Sequence, residues 1–230
     1  MKDLGTILGV WAHPDDEGYL SAGIMANAVR NGNRVVCVTA TRGEAADPER
    51  WPPAELAVIR EAEIAQALEI LGVSDHRWLD YPDGGCAAAD AERAVARIAA
   101  IIDEVRPDTV LTFGPDGNTG HPDHITVCAW TQVAVVRAAH RAALYFATNT
   151  VEWADRFEQA AKDMGVMMGA DSLPRTAKED LAIYELIDGD LLDVKERAML
   201  AQASQVHEMR DAMGHELYRE ILREEAFRRP

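Results

Sequence analysis

The chain has 230 residues, 48% hydrophobic and 27% charged, a balance that builds a packed core and excludes a disordered chain. Its 39 acidic residues against 23 basic ones give a formal net charge of −16. A surface that negative repels phosphate backbones and anionic lipid, so neither nucleic acid nor membrane is an expected partner, while neutral or cationic small molecules are compatible.

In chain order, Ile7–Ala12 is a short apolar run, and Glu17–Arg30 carries Leu20, Ile24, Met25 and Ala28 at helical spacing before Asn31-Gly32. Arg34–Ala40 is rich in β-branched residues and reads as a buried strand. After Pro52-Pro53 a long amphipathic helix is expected over Ala54–Leu71, closed by Gly72. His76–Leu79 reads as a third strand, followed by the turn Tyr81–Gly85, a helix over Ala89–Val105 stopped by Pro107, and a fourth strand at Thr109–Phe113. Ile125–Ala139 is helical, Ala142–Ala147 and Leu181–Ile187 are strand candidates, and Val194–Glu208 and Glu216–Arg228 read as terminal helices. Met164–Pro174 is irregular, either a mobile loop beside a site or a plain surface connection.

This alternation implies an α/β fold with a mostly parallel sheet covered on both faces. No repeat or linker divides residues 1–230, so a single domain is expected. The three cysteines, Cys37, Cys86 and Cys128, are far apart and form no C-x-x-C pair, which speaks for a reducing compartment and against a cysteine zinc site. Met1-Lys2-Asp3-Leu4 has no basic leader, and Ile7–Ala12 is too short for a signal peptide or a span, so the expectation is cytoplasmic.

In open α/β sheets ligands bind at the carboxyl ends of the strands. Two polar clusters fall there: His13-Pro14-Asp15-Asp16-Glu17 after the first strand and His121-Pro122-Asp123-His124 after the fourth. A single His-Pro-Asp is an ordinary turn, and an acidic loop is usually a solvated helix N-terminus. Two such clusters at two strand ends point instead to a metal. A catalytic zinc takes three nitrogen or oxygen ligands and keeps one open position. His13 and Asp16 supply two from one loop, and His124, in the first turn of a helix opened by Pro122, supplies the third. Zinc lowers the pKa of bound water to about 7. Asp15 is then the candidate base, His121 the oxyanion stabiliser or acid, and Asp123 a carboxylate that orients a nearby imidazole. A magnesium phosphotransferase would want an all-oxygen site, and the imidazoles argue against it. A non-catalytic protein that retains the fold is the other alternative. The Gly114–Gly120 loop lacks the Lys-Ser/Thr of a phosphate loop. His76, His140, His207 and His215 lack metal-type partners at useful spacing, and Trp51 beside Pro52 either rims the cleft or packs.

The segments Ala12–Glu17, Thr41-Arg42-Gly43-Glu44, Ile59–Glu63, Phe113–Gly117 and Gly120–His124 resemble the LmbE-like (PIG-L) metal-dependent N-deacetylases, with a weaker match at Lys195, Ala198, Ser204 and Gln205. The resemblance implies a Rossmann-like fold holding one zinc ion per chain and hydrolysing N-acetyl groups from a small N-acetylglucosamine-type substrate. It implies His13, Asp16 and His124 as metal ligands, Asp15 as base and His121 as its partner, with Arg60 and Asp83 at sugar-contacting positions. Several members assemble into oligomers, so it also implies a homo-oligomer. The chain departs from the pattern at Thr119, where some members have a tyrosine, and at Gln202, where many have a histidine.

Overall fold

The computed structural model describes every residue from Met1 to Pro230. Strands β1 (Ile7–Trp11), β2 (Val35–Thr39) and β4 (Thr109–Phe113) are buried at every position, as their continuous apolar character requires of strands covered on both faces. Their few hydroxyls are satisfied inside the sheet: Thr112 Oγ1 donates to the Val10 carbonyl at 2.9 Å. With β3 (Asp75–Trp78), β5 (Ala143–Thr148), β6 (Ile183–Leu186) and β7 (Glu224–Arg228) they form one sheet ordered β3-β2-β1-β4-β5-β7-β6. The first five strands are parallel, whereas β7 runs antiparallel to both β5 and β6.

The helices begin and end where local chemistry dictates. Helix α1 (Asp16–Arg30) follows β1 directly, and α2 (Pro53–Leu71) starts on a proline and stops at Gly72, which adopts φ 78°. Asp90 caps α3 (Ala91–Val105) by accepting from the Glu92 and Arg93 amides. A single turn, α4 (Gly117–Gly120), leads into α5 (Pro122–Arg137), for which His121 is the N-cap. Helices α6 (Val151–Asp163), α7 (Gly189–Ala201), α8 (Ala203–Met213) and α9 (His215–Ile221) complete the set. Helix α7 packs on α1 and α2, while α3 packs against α5, giving the two covering layers. Between β1 and β4 the strand order reverses, and the loops after these two strands open into the same crevice.

The expected Rossmann-like α/β arrangement is present, with three local differences. The stretch expected as one helix over Val194–Glu208 is broken at Gln202, whose φ/ψ of −91°/53° ends α7 and opens α8. The expected terminal helix over Glu216–Arg228 is α9 followed by β7. Its Glu and Arg residues favour a helix, but Glu225, Ala226 and Phe227 are buried in the sheet, so tertiary packing outweighs propensity. Helix α6 was not expected, although Thr150 caps it through the Trp153 amide and Ala154 and Phe157 form its buried stripe. Glu225 survives burial by pairing: Lys195 Nζ donates to its Oε1 at 2.7 Å, and the Gly23 and Ile24 amides donate to its two oxygens at 2.7 and 2.8 Å. That knot ties α7 and β7 to α1. All three cysteines are buried and free.

Candidate metal and catalytic site

Two loops meet in the crevice. After β1 the chain turns at Ala12–Asp16, and Asp16 closes the turn by accepting the Ala12 and His13 amides on Oδ2 at 3.2 and 2.7 Å. After β4, the ring of Phe113 stacks flat on that of His124, with centroids 4.1 Å apart and planes at 12°, fixing the second imidazole. His13 Nδ1 then lies 3.1 Å from His124 Nε2 and 3.7 Å from Asp16 Oδ2, and His124 Nε2 lies 3.3 Å from Asp16 Oδ1. Ligands about 2.0–2.2 Å from a tetrahedral zinc are about 3.3–3.6 Å from one another. The spacings between these three residues are of about that size, with Asp16 facing the two imidazoles through different oxygens.

The outer hydrogen bonds decide which atoms face inward. His13 Nε2 contacts Asp83 Oδ1 at 3.0 Å and Asp123 Oδ2 at 3.4 Å, and His124 Nδ1 contacts the Gly117 carbonyl at 3.0 Å. Since carboxylates and carbonyls only accept, each ring places its proton outward and leaves a lone pair on the inner nitrogen. With both rings neutral, two imidazole lone pairs would face a carboxylate, an arrangement that calls for a cation, either a proton on His13 or a metal ion. Electrostatics state the same demand. Burial pushes the His13 pKa down, but the hydrogen bonds to Asp123 and Asp83 and the charge of Asp16 outweigh it and carry it up to about 10. Burial holds His124 at about 4, neutral as a ligand must be.

The ring nitrogens of His13, His121 and His124 also lie within 4.8 Å of one another, a group that can hold a metal ion, as do donor atoms of His13, Asp83 and Asp123. In the second group the imidazole already donates to the carboxylates, so the space there is filled by hydrogen bonds. In the first, His121 stands on the flank. Its Nδ1 accepts the Asp123 amide at 3.1 Å, which leaves Nε2 as its donor, and burial followed by the charge of His13 lowers its pKa.

Asp15 sits at the mouth with φ 102°, a left-handed conformation that costs a non-glycine residue energy and recurs at functional sites. Burial raises its pKa, Arg60 opposes this, and the result is about 7, suited to a group that takes up and returns a proton. Arg60, 3% exposed, donates to the Gly43 carbonyl at 2.9 Å, to the Pro14 carbonyl, and to Asp15 Oδ2 at 3.1 Å. Gly43 has φ 66°, and a Cβ there would lie 2.1 Å from the guanidinium, so only glycine lets Arg60 reach the loop. Asp83 accepts the Ala45 amide at 2.9 Å besides facing His13. Arg60 and Asp83, which the resemblance places on the sugar, therefore spend these contacts on the β1 loop and on His13. Asp123, fully buried, accepts the Gly84 and Cys86 amides at 2.8 and 3.1 Å and faces His13 rather than His121.

Met164–Pro174 lies beside the second loop: the Met168 amide donates to the Thr119 carbonyl at 2.8 Å, and a Cβ on Gly120 would collide with Ala170. Trp51 is half-buried under Arg50, with 5.3 Å between the guanidinium carbon and the ring. Sequence reasoning assigned no role to Glu17 and Glu44. Glu44 Oε1 accepts the Asp83 amide at 2.9 Å. Glu17 lies on the buried stripe Glu17-Ser21-Ile24-Ala28 of α1, a register that marks it as facing inward.

Among known proteins, the family described as PIG-L: GlcNAc-PI de-N-acetylase matches residues 8–135. A 1D-myo-inositol 2-acetamido-2-deoxy-alpha-D-glucopyranoside deacetylase of Kineococcus radiotolerans is 42% identical over 58% of this chain and 45% of its own length. The protein of the same name from Mycobacterium sp. (strain KMS) is 33% identical over 87% of this chain and 74% of its own. The chain thus spans about half the length of the first relative and three quarters of the second. The fold is shared with the A40926 pseudoaglycone deacetylase (TM-score 0.68, 21% identity, 99% of this chain and 97% of that one). It is shared equally with a 4-carboxy-2-hydroxymuconate hydratase (TM-score 0.66, 17% identity, 98% and 95%), so the fold by itself does not select the reaction. The family model matches more than half of the chain, and the Mycobacterium relative is 33% identical over 87% of it: the chain belongs to the PIG-L family.

Proposed function

We propose that this protein is a zinc-dependent amide hydrolase that removes the acetyl group from the nitrogen of a small amino-sugar conjugate, with His13, Asp16 and His124 holding the metal. The observation that carries this reading is the convergence of His13 Nδ1, His124 Nε2 and the Asp16 carboxylate, with Asp15 next to Asp16 in the same loop and close enough for their charges to act on one another. A zinc ion there supplies Lewis acidity toward the acetyl carbonyl and toward water.

The chain's own groups do the rest. Asp83 and Asp123 hold the His13 ring through Nε2, and the Gly117 carbonyl holds His124 through Nδ1, so both ligands are preoriented. Asp15, fixed by Arg60, takes a proton from the attacking water as the new C–O bond forms at the acyl carbon. His121 donates through Nε2 to the oxygen that gains charge in that step, Nδ1 being engaged as an acceptor. When the C–N bond breaks, Asp15 returns its proton to the leaving nitrogen, so that free amine and acetate result. A neutral or cationic amino sugar suits a chain of net charge −16. No helix is long and apolar enough to cross a membrane.

The test is a panel of N-acetylated amino sugars, including N-acetylglucosamine and its inositol conjugate, incubated with zinc-loaded protein while free amine and acetate are measured. Equimolar release of both is the expected result. A full complement of zinc with no amine from any member of the panel would overturn the reading.

A further inference from the structure

A non-glycine residue at φ 102° is held there by its surroundings, and at Asp15 the holding groups can be named. From one side Arg60 grips the Pro14 carbonyl and the Asp15 carboxylate. From the other, the Asp15 amide donates to Glu17 Oε2 at 3.0 Å. Glu17 is fully buried, and its other oxygen accepts Gln202 Nε2 at 2.7 Å. Gln202 is itself 1% exposed and stands at the break between α7 and α8, 185 residues away in sequence. The contact is close by construction. A Cβ on Gly18 would lie 2.3 Å from Met199 Sδ and 3.4 Å from Gln202 Nε2, so the end of α7 presses on the first turn of α1 with no side chain between.

We propose that Glu17 and Gln202 are positioning residues for the base: the Gln202 amide fixes the Glu17 carboxylate, which in turn fixes the strained Asp15 backbone and so the aim of its side chain. The inference rests on the deacetylase reading of the site. Neither residue touches the converging donors of His13, Asp16 and His124. A purely structural buried acid would need its hydrogen bonds satisfied, but it would not need one of them to be the amide of the proposed base. The donor must be neutral and of a certain reach. An imidazole N–H meets both demands, whereas asparagine, one methylene shorter, falls short.

The experiment compares zinc-loaded wild type with Gln202→Asn and Gln202→His, using N-acetylglucosamine as substrate. It also measures zinc per chain and hydrogen exchange of the Asp15 amide. Gln202→Asn is expected to lower kcat by about tenfold to a hundredfold with KM within about twofold, as a misplaced base would. It should retain one zinc per chain and speed exchange of the Asp15 amide by about tenfold. Gln202→His should restore kcat and exchange together. Should Gln202→Asn not fold, Gln202→Met, which keeps length but lacks a donor, takes its place. Unchanged kcat and exchange in Gln202→Asn would overturn the proposal, as would zinc loss in step with activity or a failure of histidine to rescue. A wild-type protein inactive on every acetylated sugar sinks the deacetylase reading instead, and the Asp15 exchange rate then still decides whether the clamp exists.

Discussion

Asp123→Asn isolates the outer support of the proposed metal site. The carboxylate has one oxygen on the Cys86 amide at 3.1 Å and the other shared between the Gly84 amide at 2.8 Å and His13 Nε2 at 3.4 Å. An asparagine has only one acceptor, so in either orientation a buried backbone N–H faces an NH2 group. Leaving such a donor unpaired costs about 1–3 kcal/mol. For a chain of this size that lowers Tm by about 2–12 °C. The effect on the metal is separate. Loss of an outer carboxylate typically weakens metal affinity by about tenfold to a hundredfold. Asp83 still holds the same nitrogen at 3.0 Å, so the single change belongs at the lower end, about tenfold or 1.4 kcal/mol. The double change with Asp83→Asn should reach about a hundredfold or more, because no carboxylate then fixes the ring. Competition for zinc against a chromophoric chelator, beside a thermal unfolding scan, reads both quantities. If the single and double variants both bind zinc within about twofold of wild type, His13 is not oriented by these carboxylates and the assignment of its inner lone pair fails.

Asp15→Ala should keep its zinc but lose turnover by about a hundredfold to ten-thousandfold, while His13→Ala should lose both, as measured by metal analysis and amine release on the same preparations. Lys195→Met leaves Glu225 buried without its counter-charge and should cost about 3–5 kcal/mol, or about 6–20 °C in Tm; a shift below about 2 °C would show that the backbone amides alone satisfy the carboxylate. His76 reports on pH. Burial and then Arg42 hold its folded pKa at about 4, below the unfolded value of 6.5, so the unfolded chain takes up a proton that the folded chain refuses. Its contribution is complete above pH 6.5 and is lost as the pH falls toward 4. His76→Gln should therefore flatten the decline in urea-unfolding free energy between those values by a few kcal/mol at most, and an identical slope in both proteins would remove His76 from the account.

The five parallel strands and the two His-Pro-Asp loops were legible because each signal is local: a continuous apolar run for a buried strand, and a polar cluster at its end. The triangle of donors was legible for the same reason, since strand ends fix where the side chains start. What escaped depends on distant partners. The run Glu224-Glu225-Ala226-Phe227-Arg228 has helix-favouring residues, and only the pairing of Glu225 with Lys195 and the α1 amides makes it a strand. Asp123 was expected to orient an imidazole, but nothing local says that the ring is His13 rather than the adjacent His121. The contacts of Arg60 to the β1 loop and of Asp83 to His13 join residues 45 and 70 positions apart and have no local signal, whatever either residue does toward a sugar. The inward register of Glu17 on α1 was readable in part, whereas Gln202 was marked only as a position where many members of the family have a histidine, with no sign of its partner.

Strand β6 joins the sheet only through β7, and β7 is made of residues 224–228. During synthesis the parallel half of the sheet, complete by Thr148, can assemble long before either of those strands has a neighbour to pair with. The residues that tie α1 down from the far side, Lys195, Gln202 and Glu225, also follow the parallel half in the chain. A nascent chain therefore carries His13, Asp16 and His124 well before the segments that clasp α1 from the far side have been translated.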